Sequence, residues 1–347
     1  MSTLSQVYGD HPLHLRHIIP LDFDSVQMLP DSHIWPKLDD IFESSDDGLL
    51  MIPSINLTNP EAQKLITHAC ETWGVFQVTD HGVPLNLLDE VEFQARRLFS
   101  LPARQKLKAL RSSGGATGYG IARLSEFFNT CMWHEGFTII GSRIDHVREL
   151  WPHDYRRFCG VMEDYQTKMK ELATKLIGLI IKNMGISAEE VKGVLYNIGS
   201  PSSALQLNSY PFCPDRDRAM GLAPHTDTSL LTILHQSSAC GLQTLKEGVG
   251  WVLVRPTRGA LVVNIGDFLH IISNARFPSV LHRVIMKKPR HWLSVAYFYC
   301  PPTDFNLTPL VFSSDDEQVP QYRDVSVAEY IGIKARNLGK ALSFIKL

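Results

Sequence analysis

GLAPHTDTSLLTIL, residues 221–234, is apolar almost throughout, yet it carries His225 and Asp227 two residues apart. In an extended chain the side chains at i and i+2 point to one face. An imidazole and a carboxylate therefore stand together at the mouth of a strand that otherwise reads as buried. Roughly one His-x-Asp match arises by chance in a chain of this composition, and a turn histidine beside a capping aspartate explains a lone pair equally well. The surroundings decide between the two readings.

From about residue 200 onward short apolar runs alternate with turn residues. They are ALQLNSY, SLLTIL, GLQTL, WVLV, ALVVNI, DFLHII, SVLHRV and LSVAYFY. Runs of this length and spacing predict strands of an antiparallel sandwich or barrel. Before them lie helical patterns. In NPEAQKLITHACETWG, Asn59 caps, Pro60 suits the first turn, and Leu65, Ile66, Ala69 and Trp73 follow at helical spacing. LLDEVEFQARRLFSLP is a second helix stopped by Pro102, and the longest starts near Tyr155. Its stripe runs through Phe158, Val161, Met162, Tyr165, Met169, Leu172, Leu176, Leu179 and Ile180 towards a stop at Gly185. MIPSINL and VFQVTDHG read as strands, ESSDDG as a surface loop, and SVAEYIGIKARNLGKALSFI as a final helix. The predicted architecture is mainly β with α, helices packed on a jelly-roll barrel. It divides into an N-terminal region, 1–199, a barrel core, 200–302, and a C-terminal segment, 303–347.

The 347 residues are 44% hydrophobic and 20% charged, with a net charge of −2, which lacks the basic footprint of a nucleic-acid binder. No apolar run approaches a membrane span, and residues 1–20 show no secretory pattern. Cys70, Cys131, Cys159, Cys213, Cys240 and Cys300 are scattered, without a C-x-x-C pair. Reduced thiols in a cytoplasmic protein are expected. No heptad pattern is present, so a monomer is expected.

A second histidine changes the weight of the first pair. His282, in SVLHRV, also sits in a strand-like run of the barrel region. Two imidazoles and one carboxylate make the facial triad that holds non-haem Fe(II) and leaves three positions open. No Cys, Glu or third His stands at the spacing of a zinc enzyme. His235 and His270, taken as strand residues without a partner carboxylate, read as satisfied core or rim histidines, and His81 as a turn residue bonding locally. GGATGYG reads as a flexible loop and KKPRH, 287–291, as a solvated hairpin tip.

NSYPFCP, GLAPHTDTSLLTIL, GLQTLKEGVGWVLVRP, ALVVNIGDFLHIISN and SVLHRV together resemble the plant 2-oxoglutarate- and Fe(II)-dependent dioxygenases. WGVFQVTDHGVP is similar to that family's N-terminal signature. GYGIARLSEFFNTCMWHEGFTIIGS followed by LWP resembles the gibberellin 3-beta-dioxygenase group within it. The resemblance implies a double-stranded β-helix, that is a jelly roll, buttressed by helices. It implies His225, Asp227 and His282 as iron ligands and Tyr210 as a residue that bonds 2-oxoglutarate. The implied reaction uses Fe(II), 2-oxoglutarate and O2, with ascorbate as reductant, and hydroxylates a gibberellin at its 3-beta position, releasing succinate and CO2. Residue by residue the likeness has gaps. Asn56 replaces the usual aspartate, and Ala275 stands where many relatives have glycine. The family's R-x-S pattern, which binds the distal carboxylate of 2-oxoglutarate, reads here as Trp292 and Ser294. Indole has one N–H and no charge, so it cannot form the bidentate pair. In a strand, residues 290, 292 and 294 share a face, which points Trp292 into the co-substrate end. Two rival readings stay open: a dioxygenase acting at another gibberellin position or on a flavonoid, and a non-catalytic jelly roll disabled by Trp292.

Overall fold

The computed structural model describes residues 3–36, 50–141, 144–151, 153–182, 202–238, 241–286, 290–310 and 319–347. ESSDDG, Gly185, Cys240 and the lysines of KKPRH lie outside them. Helices α1 (Leu4–Gly9), α2 (Ala62–Thr72), α3 (Leu85–Phe99), α4 (Ala103–Lys106), α5 (Ile144–Leu150) and α6 (Tyr155–Lys182) precede the barrel strands. Strands β1 (Ser54–Asn56), β2 (Val75–Thr79), β3 (Gly118–Gly120) and β4 (Glu135–Ile140) are interleaved with them. The barrel region holds β5 (Ser202–Tyr210), β6 (Met220–His225), β7 (Leu231–Gln236), β8 (Leu242–Lys246), β9 (Gly250–Leu253), β10 (Leu261–Ile265), β11 (His282–Ile285) and β12 (Trp292–Cys300). Helix α7 (Asp267–Ile272) interrupts it, and α8 (Val327–Asn337) follows it.

The strands form two layers. One sheet has the order β1-β2-β10-β7-β12-β5-β4-β3, the other β6-β11-β8-β9. Within the large sheet the side chains alternate as a period of two requires. Leu205, Leu207, Ile233, Val263, Val295 and Tyr297 bury one face against the helices. Tyr210, Leu234, Val262, Trp292 and Ala296 point the other way and pack with Leu242 and Val284 of the small sheet. Helix α6 lies on the first face with Phe158, Met162, Tyr165, Met169, Leu172, Leu176 and Ile180 buried, and Val161 and Leu179 flank them. The expected stripe is therefore the helix's core face, and each such side chain contributes about 1.5–3 kcal/mol.

Turn chemistry fixes the ends. Asn59 Oδ1 accepts from the Glu61 amide at 2.9 Å at the start of α2. At its end Gly74 takes φ +63°, and a Cβ there would lie 2.2 Å from the Pro278 carbonyl oxygen, so only glycine fits. Ala275 carries φ +68° without being glycine, a conformation costing about 1–2 kcal/mol for an L side chain.

Three expectations are corrected. DFLHII is a helix, α7, and not a strand. An apolar run of six does not distinguish the two by periodicity, and Gly266 turns the chain just before it. GGATGYG is not a loop throughout, because Gly118–Gly120 form the buried strand β3 beside β4. The final helix ends at Asn337 and continues only as a 3-10 segment, Leu338–Phe344. Among the described residues no helix is long and apolar enough to cross a membrane.

Candidate active site

Strands β6 and β11 pair antiparallel with His282 directly opposite His225. Cross-strand partners place their side chains a few ångströms apart on one face, and the two imidazole centroids are 4.2 Å apart. Asp227, just past the end of β6, turns its Oδ1 to within 3.9 Å of His225 Nε2 and 3.6 Å of His282 Nε2. Two metal–ligand bonds of about 2.1 Å at right angles to slightly wider separate their donors by about 3.0–3.4 Å. Asp227 Oδ1 therefore needs to draw in by less than an ångström towards each imidazole, and the three donor atoms all lie within 4.8 Å of one another. Among the described residues this is the one cluster of three His, Cys, Asp or Glu with metal-holding geometry.

The surroundings prepare the donors. The His225 Nδ1–H donates to the Ala223 carbonyl at 2.8 Å, and His282 Nδ1 lies 3.3 Å from the Val280 carbonyl. Both bonds leave Nε2 with its lone pair facing the cluster. Burial, and then the facing His282, push the His225 pKa well below the ordinary histidine value, so it is neutral and able to ligate at pH 7. For Asp227, burial pushes upward, but the two imidazoles, the Thr232 hydroxyl and Lys334 outweigh it and hold the carboxyl below its usual range.

Asp227 is buried, 4% exposed, and is not the rim residue that its turn position suggests. Its backbone carbonyl accepts from the Asp267 amide at 2.8 Å, and its Oδ2 accepts from Asn264 Nδ2 at 3.3 Å. Gly266 permits this approach: a Cβ there would meet the Ser229 carbonyl oxygen at 2.1 Å. Asp267 in turn accepts from Tyr330 Oη at 2.7 Å and from Lys334 Nζ, which also donates to the carbonyl and hydroxyl of Thr226 at 2.8 Å each. Helix α8 is thus tied to the segment that carries Asp227. Asn264, Asp267 and Lys334 were not found from the sequence. The available signal was Lys334 itself, a lysine on the buried face of an apolar helix.

The triad opens on a cavity of roughly 280 Å³, near the small end of the ligand-sized range of about 300–1,000 Å³. Gln206, Asn208, Tyr210, Trp292 and Ser294 line it from β5 and β12, so β5 turns a polar face inward, opposite the buried Leu205 and Leu207. The Tyr210 hydroxyl bonds Ser294, and Asn208 Nδ2 donates to Ser294 Oγ at 3.2 Å. Trp292 points inward, 4% exposed, stacked on Tyr210 with centroids 4.5 Å apart and planes 24° apart. Its Nε1–H is buried without an acceptor. Arg290 lies before β12 and is exposed, so it does not share the inward face of Trp292.

The other histidines divide. His270, in α7, bonds the Phe277 carbonyl and the Tyr322 hydroxyl at 2.8 Å each and is a satisfied core residue. His81 accepts from the Val83 amide at 3.1 Å and reaches the Gly259 carbonyl at 2.8 Å. His235 is not satisfied: neither ring nitrogen has a hydrogen-bond partner, although Glu92 stands 3.8 Å away. Tyr119, Trp133 and Phe137 are buried in the cores and are not cavity residues. Cys70, Cys131, Cys159, Cys213 and Cys300 are free thiols.

Residues 201–301 match the 2OG-Fe(II) oxygenase superfamily, and residues 52–154 match the family described as non-haem dioxygenase in morphine synthesis N-terminal. The chain is 49% identical to gibberellin 3-beta-dioxygenase 1 of Pisum sativum, over 100% of this chain and 94% of the relative. It is 45% identical to gibberellin 3-beta-dioxygenase 1 of Arabidopsis thaliana, over 99% and 98%. Among solved structures it resembles JOX2 in complex with 2OG, Fe, and JA, with a TM-score of 0.77 and 26% identity, covering 93% of this chain and 95% of that one. The fold is also that of the dioxygenase for auxin oxidation in rice, TM-score 0.70 at 24% identity, covering 85% and 100%. With both family regions matched and a buried two-histidine, one-carboxylate cluster at the mouth of a jelly-roll cavity, this chain belongs to the 2-oxoglutarate- and Fe(II)-dependent oxygenase superfamily.

Proposed function

We propose that the protein hydroxylates a gibberellin at the 3-beta position, with His225, Asp227 and His282 holding Fe(II). The observation that carries this reading is the 49% identity, over the full chain, to a gibberellin 3-beta-dioxygenase, joined to the triad's geometry. When bound, Fe(II) with 2-oxoglutarate and O2 supplies the oxidation: one oxygen atom enters succinate as CO2 is lost, and the other becomes the hydroxyl of the product. Ascorbate is the accompanying reductant.

The chain's own share is positioning and exclusion of water. The triad occupies one side of the metal site and leaves the side towards the cavity for co-substrate and O2. Tyr210 and Ser294 offer hydroxyls to the distal carboxylate of 2-oxoglutarate. Trp292 offers one unpaired N–H there and no charge, and its ring fills space that guanidinium takes in relatives. This favours a second reading, a gibberellin dioxygenase weakened by poor co-substrate binding. The same reading has the protein acting as a monomer, and in the cytoplasm, the compartment that the free thiols support.

Incubation with Fe(II), ascorbate, a high concentration of 2-oxoglutarate and a panel of gibberellins and flavanones tests the assignment. A 3-beta-hydroxylated gibberellin is expected. Hydroxylation at another position, or only of a flavanone, overturns it. Anaerobic titration of the Fe(II) protein with 2-oxoglutarate separates a weakened enzyme from a non-catalytic jelly roll, since only the former develops a charge-transfer band.

A further inference from the structure

Two guanidinium groups stand in the cavity wall: Arg111 has no acid beside it, and Arg123 has only the exposed Glu126 nearby, out of ion-pair contact. Arg111 precedes β3, its amide donating to the Tyr119 carbonyl at 2.8 Å, and Arg123 opens the turn that follows β3. Both line the cavity that holds the triad. Arg111 is 4% exposed. Its Nη2 donates to the Ile121 carbonyl at 2.9 Å, and its Nε has no acceptor. Arg123 donates to the carbonyls of Gly115 at 3.1 Å, His11 at 2.6 Å and Tyr8 at 3.3 Å, and lies over the Tyr8 ring at 4.7 Å. All these acceptors are neutral. Among the described residues no carboxylate comes within ion-pair distance of either arginine, and Glu126, which shares the wall, is exposed. Lys334, the third cation there, is already paired with Asp267.

A buried cation without a counter-ion is costly unless something brings one. Burial, with Arg123 nearby, pushes the Arg111 pKa down to about 10, which leaves it charged at pH 7. A buried guanidinium with a free N–H facing a cavity matches a carboxylate. The carboxylate could come from 2-oxoglutarate or from the substrate. The sheet order β12-β5-β4-β3 separates β3, beside Arg111, from β12, which carries Trp292 and Ser294, by three strand spacings, about 14 Å. That backbone separation favours the substrate as the source, and the titration below distinguishes the two.

We propose that Arg111, with Arg123 beside it, is a carboxylate-binding subsite that grips the acid group of the substrate and presents the hydrophobic remainder to the metal. This rests on the gibberellin reading, since gibberellins are polycyclic carboxylic acids.

Calorimetric titration of the anaerobic protein, loaded with Fe(II) and saturating 2-oxoglutarate, with a gibberellin and with its methyl ester tests it without turnover. The ester is expected to bind the unaltered protein roughly 30- to 1,000-fold more weakly than the acid. Arg111→Gln should weaken the acid to the level of the ester and leave the ester unchanged. Arg111→Lys should fall between, because ammonium lacks the fork. The acid–ester comparison needs no variant, so a misfolded Arg111→Gln protein does not protect the idea. Equal binding of acid and ester overturns the subsite and leaves the gibberellin reading standing. Binding of neither overturns both. If Arg111→Gln weakens 2-oxoglutarate and not the acid, the carboxylate is the co-substrate's and the proposal fails.

Discussion

Trp292 concentrates the chemistry at the scale of single residues. A strand's period of two put it inward beside Ser294, and the stack on Tyr210 with an unpaired Nε1–H is what an indole does in a polar hole it cannot satisfy. Trp292→Arg should restore a charge-assisted pair with the distal carboxylate. Such pairs are worth about 2–5 kcal/mol, roughly 30- to several-thousand-fold in co-substrate affinity. Without 2-oxoglutarate the same variant should melt below the unaltered chain, because its guanidinium is then buried and alone. The idea is lost if the unaltered protein saturates at 2-oxoglutarate concentrations no higher than the variant needs. Asp227 makes a second test. Asp227→Ala removes the carboxylate between two imidazoles, so Fe(II) binding, followed by equilibrium dialysis, should vanish. The fold should survive with a loss of about 1–3 kcal/mol, because Asn264 Nδ2 is left without its acceptor. Iron retained at near-stoichiometric levels by that variant would rule the triad out.

At the scale of elements, the readable parts were those with a long or regular period. The nine-position stripe of α6 and the alternation of β5 were visible because each period repeats often enough to exclude the other. DFLHII was not readable as a helix, since six apolar residues fit either state and its helical form depends on Gly266 meeting Ser229. Nor were β3 and β4 visible, because Gly118 and Gly120 have no strand propensity and are held by pairing with β4. The triad was legible because its members sit at a spacing that strand geometry converts directly into proximity. Arg111 and Lys334 were not, because they reach the cavity from segments outside the strands that carry the triad, where no sequence spacing announces the proximity. Lys334 ties α8 to Thr226 and Asp267 through a buried ion pair. Lys334→Met leaves Asp267 buried with Tyr330 as its remaining side-chain donor near Oδ2, apart from a long contact from Thr226 at 3.3 Å. Removing one partner of such a pair costs about 3–5 kcal/mol, so a chemical-denaturation midpoint should drop markedly. An unchanged midpoint would mean that the pair contributes nothing net.

Across the whole molecule, the cavity is closed by segments from opposite ends of the described chain. Helix α1 packs on α8, and Leu4 and Tyr8 from the first face the same space as Ile331 and Leu338, in and just beyond the second. The metal cluster is built from β6, the turn after it and β11, and among the described residues α1 makes no bond to these segments, so α1 and the triad are separable parts. Removing residues 1–12 should therefore act on the substrate far more than on the metal. Leu4 and Val7 are buried, and losing both costs on the order of 3–5 kcal/mol by apolar area. That should leave a folded barrel with a lowered melting temperature and an unchanged Fe(II) stoichiometry. Arg123 would lose its Tyr8 and His11 carbonyls and the ring it lies over, and water would enter the cavity beside it, weakening any charge pair made there. The gibberellin KM should rise at least about tenfold, while the 2-oxoglutarate KM, governed by the binding proposed at β5 and β12, should stay within a factor of about two. A parallel rise in both constants would show that α1 supports the barrel as a whole and does not serve as the wall of a substrate chamber.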